Sequence, residues 1–133
     1  MNDEVQEALR KFEDAFVSLK AIAQAKAPDE FTRQAFRDST IQRFEYTWDL
    51  AWKTLKIILK HQGIECRNPK DCFKKAFSQE IIQDEANYLR MLEDRNETSH
   101  TYNKAFAEEI SGRIVQSYVR LFEILLGKLK SIH

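Results

Sequence analysis

The scarcity of helix-breaking residues constrains the fold of this chain more than any other feature. Only 3 Gly and 2 Pro occur in 133 residues, so the loops of an all-β fold or a glycine-rich phosphate loop have little to be built from. Apolar residues instead recur at spacings of three and four, which is the period of a helix. These two features predict an all-α protein, and the length predicts one domain over residues 1–133.

Five helices are predicted from the apolar stripes and their stop signals. In chain order they are a helix to about Lys26, a long helix from about Glu30 to Gln62, a short helix opened by Asn68 and Pro69, a helix from Asp84 to Arg95, and a last helix from Asn103 or Lys104. Gly63 is well placed to stop the second helix, and an irregularity is possible near Asp38. Short turns between such helices favour an up-and-down antiparallel bundle of four to five helices.

The overall charge points to no anionic partner. Lys+Arg and Asp+Glu both number 21, so no long-range field attracts nucleic acid or an anionic membrane, and any RNA contact has to be local. The apolar runs are too short to span a membrane, and the acidic, polar start does not resemble a signal peptide. We therefore expect a cytoplasmic protein with no membrane contact.

Cysteine and tryptophan both have structural interpretations here. Cys66 and Cys72 do not reproduce the paired spacing of a zinc site, and in an intracellular protein two reduced thiols are expected. Trp48 and Trp52 lie four apart beside other apolar residues, so core packing is favoured over a base-stacking surface. We expect no metal and no cofactor.

One segment, RNETSHTY from Arg95 to Tyr102, carries residues suited to chemistry. Arginine offers a fork of donors that matches a phosphate, and histidine exchanges protons near neutral pH. On an ideal helix, a five-residue offset turns Arg95 and His100 apart by about 140°. The two side chains can converge only if the helix ends or distorts between them, or if a twofold dimer sets two copies of the segment face to face.

The segment resembles the Arg-polar-x-x-x-His signature of the HEPN superfamily and, with Tyr102 added, the Arg-x4-His-x-Tyr motif of HepT-type toxins. RFEYTWDLAWKTLK (43–56) and MLEDRNETSHTY (91–102) both resemble the small proteins encoded beside a minimal nucleotidyltransferase, a family described as nucleotidyltransferase substrate-binding. The resemblance covers nearly the whole chain and includes the five-helix pattern.

The resemblance implies a metal-independent ribonuclease whose active centre is formed by Arg95 and His100 of two subunits in a homodimer. Asn96 occupies the polar position after the arginine and would orient phosphate or backbone. Tyr102 would accept AMP from a partner nucleotidyltransferase, and the added anionic group would exclude RNA. The implied partners are therefore that transferase, RNA and a second copy of the chain.

Three alternatives stay open at the level of sequence. The chain could be a non-catalytic subunit that binds the substrate of a separate nucleotidyltransferase, or a homo-oligomeric scaffold. Without the family, Arg95 would be interpreted as a surface ion-pair residue. Glu45 and Asp49, four apart on the second helix, could hold Arg95 in place, although solvated carboxylates are at least as plausible.

Overall fold

The computed structural model describes residues 3–100 and 103–132, and within these ranges all regular structure is helical. The helices are α1 (Asp3–Gln24), α2 (Glu30–His61), α3 (Pro69–Ser78), α4 (Glu85–Glu97), α5 (Lys104–Arg113) and α6 (Val119–Ile132). A 3₁₀ turn (Thr98–His100) follows α4, and a π-helical turn (Ile114–Tyr118) joins α5 to α6 without a break. We refer to α5, the π turn and α6 together as the last helix, so the five predicted helices are confirmed.

The predicted caps explain where the helices begin. The side chains of Asn68, Asp84 and Asn103 each accept a hydrogen bond from a backbone N–H three residues on, at 2.9, 3.4 and 3.1 Å. Such side chains satisfy N–H groups that have no partner inside the helix. The possible irregularity near Asp38 is absent, and α2 continues unbroken through this point.

Gly63 ends α2 as predicted. Its φ is +79°, a conformation that glycine adopts without steric cost. The N–H groups of Gly63 and Ile64 donate to the carbonyls of Lys60 and Leu59 at 3.0 and 2.9 Å, which is the Schellman arrangement. The chain is thereby turned from α2 towards α3.

The bundle is up-and-down, as predicted. The hydroxyls of Thr47 and Thr54 on α2 lie 3.2 Å from the carbonyls of Ala15 and Ala8 on α1; later residues of α2 meet earlier residues of α1, so the pair is antiparallel. Two ion pairs show the same order between α1 and α6: Lys20–Glu123 and Glu13–Lys130. No described helix is long and apolar enough to cross a membrane.

Stacked aromatic rings join α2, α3 and α4 in one core. Trp48 stacks on Phe73 at 4.9 Å between ring centroids, and Phe73 stacks on Tyr88 at 5.3 Å. Trp48 is buried and Trp52 packs partly buried against the same core, so the prediction that both tryptophans pack in the core is confirmed. This packing fixes α4 beside α2, where the segment from Arg95 begins.

The expectation of two reduced thiols is wrong, because the structure joins Cys66 and Cys72 in a disulfide. The turn at Gly63 brings the chain back over the start of α3, and the two Cα atoms lie 5.0 Å apart, within the range that a disulfide spans. Both cysteines are buried. The spacing of six residues argued against a zinc site, but it did not show that the chain turns so tightly after α2 that the two cysteines meet.

Candidate active site

Arg95 reaches from the last turn of α4 to two carboxylates on α2. Its Nη1 lies 3.1 Å from Glu45 Oε2, and its Nη2 lies 3.4 Å from Asp49 Oδ2. The two acids are four residues apart, so they lie one above the other on the same face of α2. The structure therefore decides the open alternative for Glu45 and Asp49: they hold the guanidinium of Arg95.

Thr98 completes this cluster and was not singled out as a site residue from the sequence. Its hydroxyl lies 2.8 Å from Glu45 Oε2 and 2.7 Å from the carbonyl of Arg95, and it accepts a hydrogen bond from Arg95 Nη1 at 3.2 Å. The side chain is buried. A threonine three residues after an arginine at a helix end was the available signal, because threonine favours such ends.

The guanidinium of Arg95 is restrained but not saturated. Of its five N–H groups, two on Nη1 and one on Nη2 have the partners named above. Its Nε is buried without a hydrogen-bond partner in the described part of the chain. The side chain as a whole is 27% exposed, so the guanidinium is held in one place while the side chain is not fully covered.

Asp94 fixes the end of α4 from the opposite side. It is 6% exposed and accepts hydrogen bonds from the guanidinium of Arg113, at 2.7 Å, and from the hydroxyl of Tyr118. Burial, together with this hydrogen bond, raises the pKa of Tyr118. Tyr118 lies in the π turn, and its ring stacks on Phe44 of α2. The consecutive residues Asp94 and Arg95 thus attach the end of α4 to the last helix and to α2, respectively.

His100 lies beyond the end of α4, in the 3₁₀ turn. The break in the helix that convergence requires is therefore present between Arg95 and His100. The imidazole is 56% exposed, and its Nε2 lies 3.7 Å from Glu97 Oε2. The structure thus places the arginine against α2 and the histidine at the surface beside Glu97. The other predicted route to convergence needs a second copy of the chain, whose own segment would face this one.

Asn96 and Tyr102 are the remaining predicted site residues. Asn96 is exposed at the end of α4, and its orienting role stays a prediction. Tyr102, the predicted acceptor of AMP, lies outside the described residues. Asn103, immediately after it, caps the last helix, so the segment ends at a defined helix start.

Comparison with known proteins then identifies the family. Residues 7–131 match the family model "Nucleotidyltransferase substrate binding protein like". The chain belongs to this family. The match spans all five helices, from α1 to α6. No curated protein shows significant sequence similarity to the chain.

Solved structures show the same fold. A crystal structure of a Thermus thermophilus protein is 36% identical, with a TM-score of 0.80 and coverage of 90% of this chain and 98% of that one. A Haemophilus influenzae protein, described as showing the fold of a substrate-binding domain of a nucleotidyltransferase, is 23% identical with a TM-score of 0.79, covering 92% and 98%.

A third structure connects the fold with HEPN toxins. It is a tri-AMPylated Shewanella oneidensis HEPN toxin in complex with an MNT antitoxin, 18% identical with a TM-score of 0.76, covering 98% of this chain and 99% of that one. At this identity the likeness concerns the fold alone. The predicted HEPN-like fold is confirmed.

Proposed function

We propose that this protein is the toxin subunit of a HEPN–nucleotidyltransferase pair, a metal-independent ribonuclease that AMP transfer to Tyr102 silences. The observation that carries the proposal is the state of Arg95, which three side chains hold at the end of α4 while its side chain stays 27% exposed. The proposal also draws on the family match and on the fold shared with a toxin whose described state is AMPylated.

The chemistry of the proposed cleavage needs only the residues named. A ribose 2′-oxygen attacks the adjacent phosphorus, and the bond from phosphorus to the 5′-oxygen breaks, which leaves a cyclic phosphate. The 2′-hydroxyl proton passes to a neutral His100, and the departing 5′-oxygen takes a proton from a protonated His100 of either subunit. Arg95 stabilises the charge that develops on the phosphate.

Two chains contribute to the proposed centre. Apolar side chains stay exposed at several points along the last helix: Val115, Ile124 and Ile132. A mixture of Arg95→Ala and His100→Ala chains tests the composite site. Cleavage that reappears on mixing supports a centre built from two subunits, and a mixture as inactive as either variant contradicts it.

The main test is cleavage of single-stranded RNA by purified protein in the presence of a metal chelator. We expect His100→Ala to lower the single-turnover rate by about a thousandfold, the size typical of losing a positioned acid or base. Ser99→Ala, an exposed neighbour in the same turn, is the matched control and should cleave at the unaltered rate. Equal rates for wild type and His100→Ala would exclude the proposed ribonuclease.

The switch is tested separately, by intact mass after incubation with the partner nucleotidyltransferase and ATP. The expected result is a gain of the mass of AMP that Tyr102→Phe abolishes and that the control Tyr46→Phe, a change at an exposed tyrosine of α2, retains. A gain that survives Tyr102→Phe contradicts the assignment of the acceptor.

A second function is favoured by one observation. Glu45 and Asp49 together outweigh the charge of Arg95, as expected if the arginine mainly stabilises the bundle. The protein would then bind the substrate of a separate transferase, as the name of its family and the description of the Haemophilus influenzae structure say of those proteins. A stable complex with the transferase, without RNA cleavage and without AMP on Tyr102, would establish this alternative.

A further inference from the structure

A dense basic surface lies at the corner between α2 and α3. Between Lys53 and Lys75, seven cationic side chains stand against only two carboxylates, Glu65 and Asp71, although the whole chain is neutral. Six of the seven cations are exposed, and we call them the basic corner: Lys53, Lys56, Lys60, Arg67, Lys70 and Lys74. The neutral composition therefore conceals a strongly uneven distribution of charge.

The cations of the basic corner differ from most arginines of the protein in their pairing. Within residues 3–100 and 103–132, none of the six charged groups forms an ion pair within 4.0 Å of a carboxylate, whereas five of the protein's arginines form such pairs: Arg10, Arg33, Arg37, Arg95 and Arg113. Lys75 is already engaged by Asp71 and by the carbonyl of Glu65. Like charges without acidic partners repel one another, so this surface gains from an anionic ligand.

The α2 part of the basic corner begins one turn beyond the carboxylates that hold Arg95. Glu45, Asp49, Lys53, Lys56 and Lys60 follow one another at spacings of three and four, so they share one face of α2. From Asp49 to Lys60 this face extends about 16 Å along the helix. A strand of nucleic acid that follows the lysines is therefore led towards Arg95.

The α3 part of the basic corner lines a shallow cavity. Arg67, Lys70 and Lys74 surround it together with Asn68, Lys75 and Asp71. The Asp71 carboxylate is occupied locally, since it accepts the N–H of Arg67, which lowers the pKa of this acid. The disulfide from Cys66 to Cys72 closes the loop that carries Arg67 and Lys70, so their backbone positions are restrained.

We propose that the basic corner binds the phosphate backbone of single-stranded RNA and delivers the strand along α2 to Arg95. The proposal rests on the proposed ribonuclease function and names its substrate class. A row of exposed, flexible cations suits a backbone that is contacted without regard to sequence. The basic corner supplies the local contact with RNA that a chain of zero net charge needs.

Binding is measured with a fluorescently labelled single-stranded RNA in the His100→Ala protein, so that the RNA stays intact. We expect Arg67→Gln/Lys70→Gln/Lys74→Gln to weaken binding by about tenfold or more at moderate salt. Each lost phosphate contact lowers the slope of log affinity against log salt by about 0.7 for a single strand, so the slope should fall by about 2.

The matched control is Lys26→Gln/Arg120→Gln/Lys128→Gln, which removes three exposed cations outside the basic corner. It should change the affinity less than about twofold, because these cations are not among those that the strand is proposed to contact. Equal weakening by the two triple variants, or no weakening by either, overturns the proposal. Unaltered helicity and thermal unfolding of both variants, measured in parallel, show that the fold is not the cause.

The outcomes separate this proposal from the proposed function. RNA binding that depends on the basic corner, without any cleavage by the wild-type protein, supports the surface and contradicts the ribonuclease. RNA cleavage by the wild-type protein, together with an RNA affinity that the substitutions in the basic corner leave unchanged, supports the ribonuclease and contradicts the proposed surface. Unaltered RNA affinity combined with loss of binding to the partner nucleotidyltransferase would show that the basic corner recognises a protein and would overturn the proposal.

Discussion

Arg95 and His100 lie five residues apart in one segment, but their surroundings are opposite. Arg95 is mostly buried and contacts Glu45, Asp49 and Thr98, whereas His100 is largely exposed beside Glu97. A group that binds phosphate benefits from a fixed position, because its fork must meet the oxygens in one geometry. A group that exchanges protons needs access to substrate and solvent. Because α4 ends between the two residues, Arg95 is held against α2 while His100 stays exposed.

The largest effect expected from this comparison tests whether the geometry of Arg95 matters beyond its charge. Arg95→Lys keeps the charge but loses the fork that reaches both carboxylates, and we expect the RNA cleavage rate to fall by about a hundredfold. Arg90→Lys, an exposed change on the same helix, should retain the rate. An Arg95→Lys protein as active as wild type would show that any cation suffices.

The next largest effect is on stability. We expect it at Asp94, which adjoins Arg95, and not at Glu97, which lies beside His100. Asp94→Asn weakens the buried attachment to Arg113 and Tyr118, and we expect the free energy of unfolding to fall by about 2 kcal/mol in urea. Glu97→Gln, beside the exposed His100, should change it by less than about 0.5 kcal/mol. Equal losses from both substitutions would remove the contrast between the two ends of the segment.

A smaller effect measures the two contacts directly. In double-mutant cycles we expect a coupling of about 1 kcal/mol between Glu45 and Arg95, which are partly shielded from solvent. For Glu97 and His100, both more than half exposed, the coupling should stay below about 0.5 kcal/mol. A larger value for the exposed pair would mean that His100 is held as firmly as Arg95.

The smallest effect extends the comparison to an exposed carboxylate with two arginines. Arg33 and Arg37 lower the pKa of Glu108 to about 2, so its pairing stabilises the fold above the ordinary pKa of a glutamate and is lost as the pH falls towards about 2. Solvent screening limits the gain to below about 1 kcal/mol. The melting temperature of Glu108→Gln should lie below that of wild type at about pH 6 and approach it near about pH 2.5.

Glu93→Gln is the control for that pH series. Its side chain is exposed and lies outside the contacts with Arg33 and Arg37, so it shows how the loss of an exposed carboxylate alone alters the melting temperature across the series. A gap for Glu108→Gln that stays constant down to about pH 2.5 would show that the two arginines do not stabilise the fold through this carboxylate.

Much of the fold was predictable because its signals are local. Helix periods, the caps at Asn68, Asp84 and Asn103, and the stop at Gly63 each depend on a few neighbouring residues. The disulfide was not predictable, since it depends on how tightly the chain returns after α2. Asp94 was also missed, because only the packing of the last helix against α4 buries it and supplies Tyr118 and Arg113.

The sequence by itself determined the five helices, the family and the segment that carries Arg95, His100 and Tyr102, because these reside in spacing and residue type along the chain. Only the tertiary structure decided that Arg95 is held by Glu45, Asp49 and Thr98 and that His100 is left at the surface. It also packed α3, which carries Lys70 and Lys74 of the basic corner, against α2. Such contacts join residues far apart in the chain, and packing rather than local preference brings them together.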